Sequence, residues 1–100
     1  ILSVEDAKRA KSSGMDAIWV SNHGGRQLDA APAAIEILPI IRAAVGNEFP
    51  LAFDSGIRDG CDVVKALAKG ANFTFLGRPI LHALGAAGGP GLERILSIFY

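Results

Sequence analysis

Along the chain, short continuous apolar runs alternate with longer segments of helical period, and each run ends in a polar, glycine-containing turn. Ser3 and Asp6 stand at the S-x-x-D spacing of a capping box, which predicts a helix from Val4 to Ser13 with Gly14 as its stop. Ala17-Ile18-Trp19-Val20 reads as a strand buried on both faces, as in a parallel sheet. After the polar stretch Ser21 to Asp29, Pro32 opens a helical pattern that Gly46 closes, and Pro39 is expected to divide it in two. The cycle then repeats. Leu51-Ala52-Phe53 predicts a second strand, and Asp59 and Asp62 bracket the start of a helix that ends at Gly70, with Lys65 and Lys69 toward its carbonyl end. Phe73 to Leu76 predicts a third strand, closed by Gly77-Arg78-Pro79, and a last helical region runs to Tyr100 with a break at Gly88 to Gly91.

The order α-β-α-β-α-β-α implies a parallel sheet with crossover helices. Three strands cannot close a barrel, and a free-standing arc of three leaves two bare edges and one uncovered face. The expected fold class is therefore α/β, as part of a (β/α)₈ barrel in preference to an open doubly wound sheet. Composition narrows the function. Ten basic and ten acidic residues cancel, so no net field draws the chain to nucleic acid or an anionic membrane. The longest uncharged stretch, Pro79 to Leu92, is interrupted by glycines and Pro90 and does not read as a membrane span. A lone cysteine, Cys61, excludes an internal disulfide and a cysteine-cluster metal site, and fits a reducing compartment. The chain starts at Ile1 with no charged leader, which reads as a piece of a longer protein with no targeting segment in view.

The candidate chemistry lies in the three turns after the strands: Ser21-Asn22-His23-Gly24-Gly25-Arg26, Asp54-Ser55-Gly56-Ile57-Arg58 and Gly77-Arg78. In parallel α/β folds such turns converge at the carboxyl ends of the strands, where ligands bind. An arginine in each suggests an anionic ligand. His23 and Arg26, with two glycines between them, suit a general base beside a carboxylate fork. The alternative is that both side chains merely brace their own loop. Gly56, Arg58, Gly77 and Arg78 suit a phosphate cradle, against the plainer reading of two tight turns. Trp19 is read as core packing, His82 as a structural helix histidine, Cys61 as unreactive, and Lys8, Arg9 and Lys11 as a solvated face.

The segment Ser21 to Asp29 resembles the active-site segment of the FMN-dependent 2-hydroxy-acid oxidising enzymes, a family that includes glycolate oxidase, L-lactate dehydrogenase and mandelate dehydrogenase. Asp54 to Gly60 with the helix Asp62 to Ala71 resembles that family's flavin-phosphate loop, and Gly77-Arg78-Pro79 its next turn. The resemblance spans essentially all 100 residues. It implies a (β/α)₈ barrel of which these strands are the sixth, seventh and eighth, so that residues 1–100 form a partial barrel domain. It implies His23 as catalytic base, Arg26 on the substrate carboxylate, and Ser21 at the flavin ring. Asp54, Ser55, Gly56, Ile57 and Arg58 would hold the ribityl chain and phosphate of FMN, with Gly77 and Arg78 completing the phosphate site.

The implied reaction oxidises an L-2-hydroxy acid to a 2-oxo acid, with oxygen, a quinone or a cytochrome as electron acceptor. The resemblance further implies a tetramer and a cytoplasmic or membrane-associated protein. It also implies an upstream lysine, tyrosines and aspartate outside this chain, so the 100 residues alone are expected to be inactive. Ser55 stands where many members have glycine, and Asp59 where many have a basic residue; Asp59 is expected to cap the following helix instead. Two other readings remain: a different phosphate-binding barrel, such as an isomerase or an inosine-phosphate dehydrogenase-like enzyme, or a truncated barrel without catalysis.

Overall fold

The computed structural model describes residues 1–100. Its elements are α1 (Val4–Ser12), β1 (Ile18–Val20), a 3₁₀ turn (His23–Gly25), α2 (Ala34–Val45), β2 (Leu51–Phe53), α3 (Gly60–Ala68), β3 (Phe73–Thr74) and α4 (Arg78–Phe99). The strands form one parallel sheet in the order β1-β2-β3, with Ile18 opposite Leu51, Val20 opposite Phe53, and Phe53 opposite Thr74. Both expected caps are formed. Ser3 Oγ accepts the Asp6 amide at 3.1 Å, and Asp59 Oδ1 accepts the Asp62 amide at 3.0 Å, each worth about 1 kcal/mol to its helix.

Only one face of the sheet is covered. Ile18, Val20, Leu51 and Phe53 are buried against Ala7 of α1, Leu38, Ile41 and Val45 of α2, and Ala66 of α3. The alternate positions Trp19, Ala52 and Phe73 lie side by side on the other face. Trp19 thus lies on the face turned away from the helices, stacked on Phe75 at 4.2 Å, with Phe73 edge-on to Phe75 at 5.0 Å; within these 100 residues it is 46% exposed. An apolar run is compatible with burial on both faces, but side chains alternate along a strand, and within this chain helices cover one side only.

Other expectations shift for local reasons. The second helix begins at Ala34, not Pro32, and passes through Pro39 without dividing. Pro39 forfeits one backbone bond, to the Ile35 carbonyl, at a cost of about 3 kcal/mol. The buried Leu38 and Ile41 on either side contribute roughly 1.5–3 kcal/mol each and hold the helix together. β3 is shorter than its apolar run, although the Phe75 amide still reaches the Phe53 carbonyl at 2.9 Å. Lys11 is not merely solvated: its Nζ donates to the Val45 carbonyl at 2.6 Å, capping α2, and stands 5.5 Å from the Phe49 ring centre. The break in the last helix falls at Ala87 and Gly88, after which the chain folds back so tightly that a Cβ at Gly91 would collide with the Ala83 carbonyl. No helix is long and apolar enough to cross a membrane.

Candidate active site

The three turns meet where the strands end, around an open cavity of about 540 Å³, within the range of small-molecule and cofactor sites. His23, Arg26, Asp54, Ser55, Gly56, Ile57, Arg58, Gly77 and Arg78 all line it. Ser21 is the exception among the sequence candidates. It lines a neighbouring hollow beside Trp19, which His23 and Asp54 also border, and its hydroxyl accepts the His23 amide at 3.0 Å.

The first turn is made by the sequence Asn22 to Arg26. Asn22 Oδ1 accepts the Gly25 amide at 3.2 Å, closing a single 3₁₀ turn. His23, Gly24 and Gly25 all have positive φ, at 55°, 67° and 77°. Glycine adopts this region freely, whereas histidine does so at a cost and is therefore held there by its surroundings. His23 and Arg26 are exposed to the cavity, and neither side chain hydrogen-bonds within the chain. The loop-bracing alternative is therefore not what the structure displays.

The second turn leaves β2 through Asp54 and passes Ser55 and Gly56 at φ 79° and 90°. Ile57, taken from the sequence as a cofactor residue, has its side chain buried in the core at 4% exposure, so it anchors the turn from beneath. Arg58 is exposed; its Nη1 donates to the Ile57 carbonyl at 2.9 Å, and its amide donates to Asp62 Oδ2 at 3.0 Å. The Asp62 carboxyl lies below the ordinary aspartate range, chiefly because Lys65 hydrogen-bonds it and also because the Arg58 amide does. The third turn places Gly77 and Arg78 at the start of α4, with Pro79 buried behind them. Arg78 Nη2 reaches across to the Gly24 carbonyl at 3.0 Å, so the first and third turns touch.

What gathers at one end is a set of hydrogen-bond donors not spent within the chain. Arg58 and Arg78 each spend one hydrogen-bond donor within the chain, and the Gly56 and Gly77 amides spend none. Phe75 and Leu81 supply an apolar edge to the cavity that sequence reasoning missed. For Phe75 the signal was available, since it lies two residues beyond Phe73 on the same side of the sheet. No group of three or more histidine, cysteine or acidic side chains could hold a metal ion.

A family model for FMN-dependent dehydrogenases matches residues 1–100. The chain belongs to that family. Among family relatives, an L-lactate dehydrogenase of Actinobacillus pleuropneumoniae is 54% identical over 99 residues, which are 99% of this chain and 26% of the relative. A pre-mycofactocin synthase of Mycolicibacterium smegmatis is 51% identical over 98 residues, 98% of this chain and 25% of the relative. Among solved structures, a mandelate oxidase with (S)-4-hydroxymandelic acid superimposes with a TM-score of 0.94 at 50% identity, covering 99% of this chain and 28% of that one. The lactate oxidase of Pediococcus acidilactici gives 0.93 at 45%, with 99% and 28% covered. The chain thus spans about a quarter of the length of the curated relatives it matches. At this identity the fold carries over: the three β/α units are an arc of the (β/α)₈ barrel of this family.

Proposed function

We propose that the protein containing this chain oxidises a small 2-hydroxy acid to the 2-oxo acid with FMN as its redox group, and that residues 1–100 supply its sixth to eighth barrel strands. One observation carries this reading. A single cavity is lined by a histidine and an arginine with free side chains, and by two further arginines and two glycines whose amides make no hydrogen bond in the chain. The second set fits a phosphate group, being cationic donors and backbone N–H groups, that of Gly77 at the start of α4. A neighbouring mandelate oxidase structure carries a monooxide FMN adduct, at 50% identity.

Bound there, FMN would supply the two-electron acceptor, taking up the electron pair together with the second hydrogen of the alcohol. The chain's own residues do the rest. Arg58 and Arg78, with the Gly56 and Gly77 amides, hold the phosphate end. Arg26 takes the substrate carboxylate in its planar fork, which fixes the hydroxyl-bearing carbon beside His23. His23 removes a proton as general base, an imidazole being suited to that work near neutral pH. Ser21 stands behind His23 and holds its backbone. Oxygen, a quinone or a cytochrome then takes the electrons, in a tetrameric protein of the cytoplasm or the membrane surface.

The near-equal identity to the pre-mycofactocin synthase supports a second reading, in which the same turns hold FMN and the reaction is the synthesis that relative is named for. One experiment separates them. The complete protein is purified, and its visible spectrum is followed anaerobically with L-lactate, glycolate and L-mandelate. Bleaching of the flavin band by one of these acids supports the first reading. Flavin that stays oxidised with all three favours the second, and a colourless protein that takes up no FMN sinks both. His23→Gln should retain flavin and slow bleaching by about 10²- to 10⁴-fold.

A further inference from the structure

Only two non-glycine residues in the chain have positive φ, His23 at 55° and Ser55 at 79°. A turn that needs this backbone region ordinarily takes glycine, since an L side chain is strained there. A serine at such a position needs a compensating role for its side chain. The Ser55 hydroxyl donates to Asp54 Oδ1 at 2.9 Å and accepts the amides of Asn22 at 3.2 Å and Gly24 at 3.1 Å. A hydroxyl has one proton and two lone pairs, so this one is fully used, with nothing left for a ligand. The two amides it accepts flank His23. The His23 amide itself goes to Ser21 Oγ, which lies 3.4 Å from Ser55 Oγ.

We propose that Ser55 is a positioning residue for His23. Three consecutive amides of the histidine turn are drawn onto two hydroxyls, and Ser55 supplies the tether from the neighbouring turn. Asp54, by accepting the hydroxyl proton, aims both lone pairs at the turn. The hydroxyl spends its hydrogen bonds within the two turns and sets the direction from which the imidazole enters the cavity. The proposal rests on the reading of His23 as the base.

Two variants of the complete protein test it. Ser55→Gly removes the tether and relieves the strain, whereas Ser55→Ala removes the tether and keeps the strain. Both should lower the limiting rate of anaerobic flavin bleaching by about 10- to 100-fold, the scale of loss for a slightly misplaced reacting group. The substrate concentration for half-saturation should change by less than about threefold, because carboxylate binding is untouched. Ser55→Gly should keep its flavin and melt no lower than the parent. A plain turn residue would give no such separation of turnover from stability.

Amide exchange read by mass spectrometry on residues 21–29 supplies a measure independent of turnover. Exchange at Asn22 and Gly24 should rise about 10-fold in both variants, while that of α1 to α3 is unchanged. Unchanged exchange in this segment overturns the tether, whatever happens to the rate. Faster exchange with the parental bleaching rate overturns the positioning role. If the parent is colourless or is not bleached, the oxidation reading fails instead, and the exchange measurement alone decides whether Ser55 holds the turn.

Discussion

The two ends of this sheet use the same residue type in opposite ways. Where the strands begin, Arg42 of α2 donates to the carbonyls of Gly46, Asn47, Phe49 and Gly70 and to Asn72 Oδ1, at 2.6 to 3.3 Å. Asn72 Oδ1 also accepts the Leu51 amide at 2.9 Å, so α2, the entry to β2 and the end of α3 are bound to one guanidinium. Burial draws the Arg42 pKa down from its ordinary value. Where the strands stop, Arg58 and Arg78 make one side-chain hydrogen bond each, and Arg26 makes none. The donors of Arg42 are saturated within the fold, and those of the three arginines at the other end are not. This is the division between the two faces of a (β/α)₈ barrel, one for stability and one for chemistry.

Exchanging the two uses should produce opposite results. Arg42→Ala should cause the largest loss of stability, about 2–4 kcal/mol by urea denaturation, because several charged hydrogen bonds vanish together. Arg42→Lys should recover little of it, since a point charge cannot span that set of carbonyls. Arg78→Ala should leave the urea midpoint almost unmoved and weaken FMN binding by about 10- to 100-fold, measured by flavin release on dialysis. If Arg78→Ala instead lowers stability as much as Arg42→Ala, the contrast between the two ends fails.

The smallest expected effect is at Asp62, which braces the Arg58 turn. Its carboxyl is lowered in the folded chain, so its contribution is present above the ordinary aspartate value near 4 and is lost as pH falls through the lowered value. Asp62→Asn should weaken FMN binding by roughly two- to fivefold at neutral pH and flatten the acid limb of the stability curve. A titration of stability from pH 6 to pH 2, with and without the substitution, measures this directly.

The elements that could be read from the sequence are those whose signals are local. Ser3 and Asp59 cap the helices expected of them, and the turns after the three strands meet as the alternation of elements required. Arg42 left no trace, because its partners are mostly backbone carbonyls, and those have no sequence signature. That Trp19 faces away from the helices follows from side-chain alternation and strand register, which an apolar run does not record. Pro39 does not divide α2, since packing on both sides of it outweighs one lost bond. In the sequence Ser55 is only a departure from glycine; its left-handed backbone and the amides above it emerge only when two turns are placed side by side.

The partners of Arg42 all lie between residues 46 and 72, whereas the cavity needs Arg78 as well. On a ribosome the chain emerges amino end first. Every part of the Arg42 fastening therefore leaves the exit tunnel before the last arginine of the anion site. The fastening of β2 and α3 to α2 is therefore complete in the emerged chain before Arg78 and α4 follow, so assembly of that frame does not wait for the third turn.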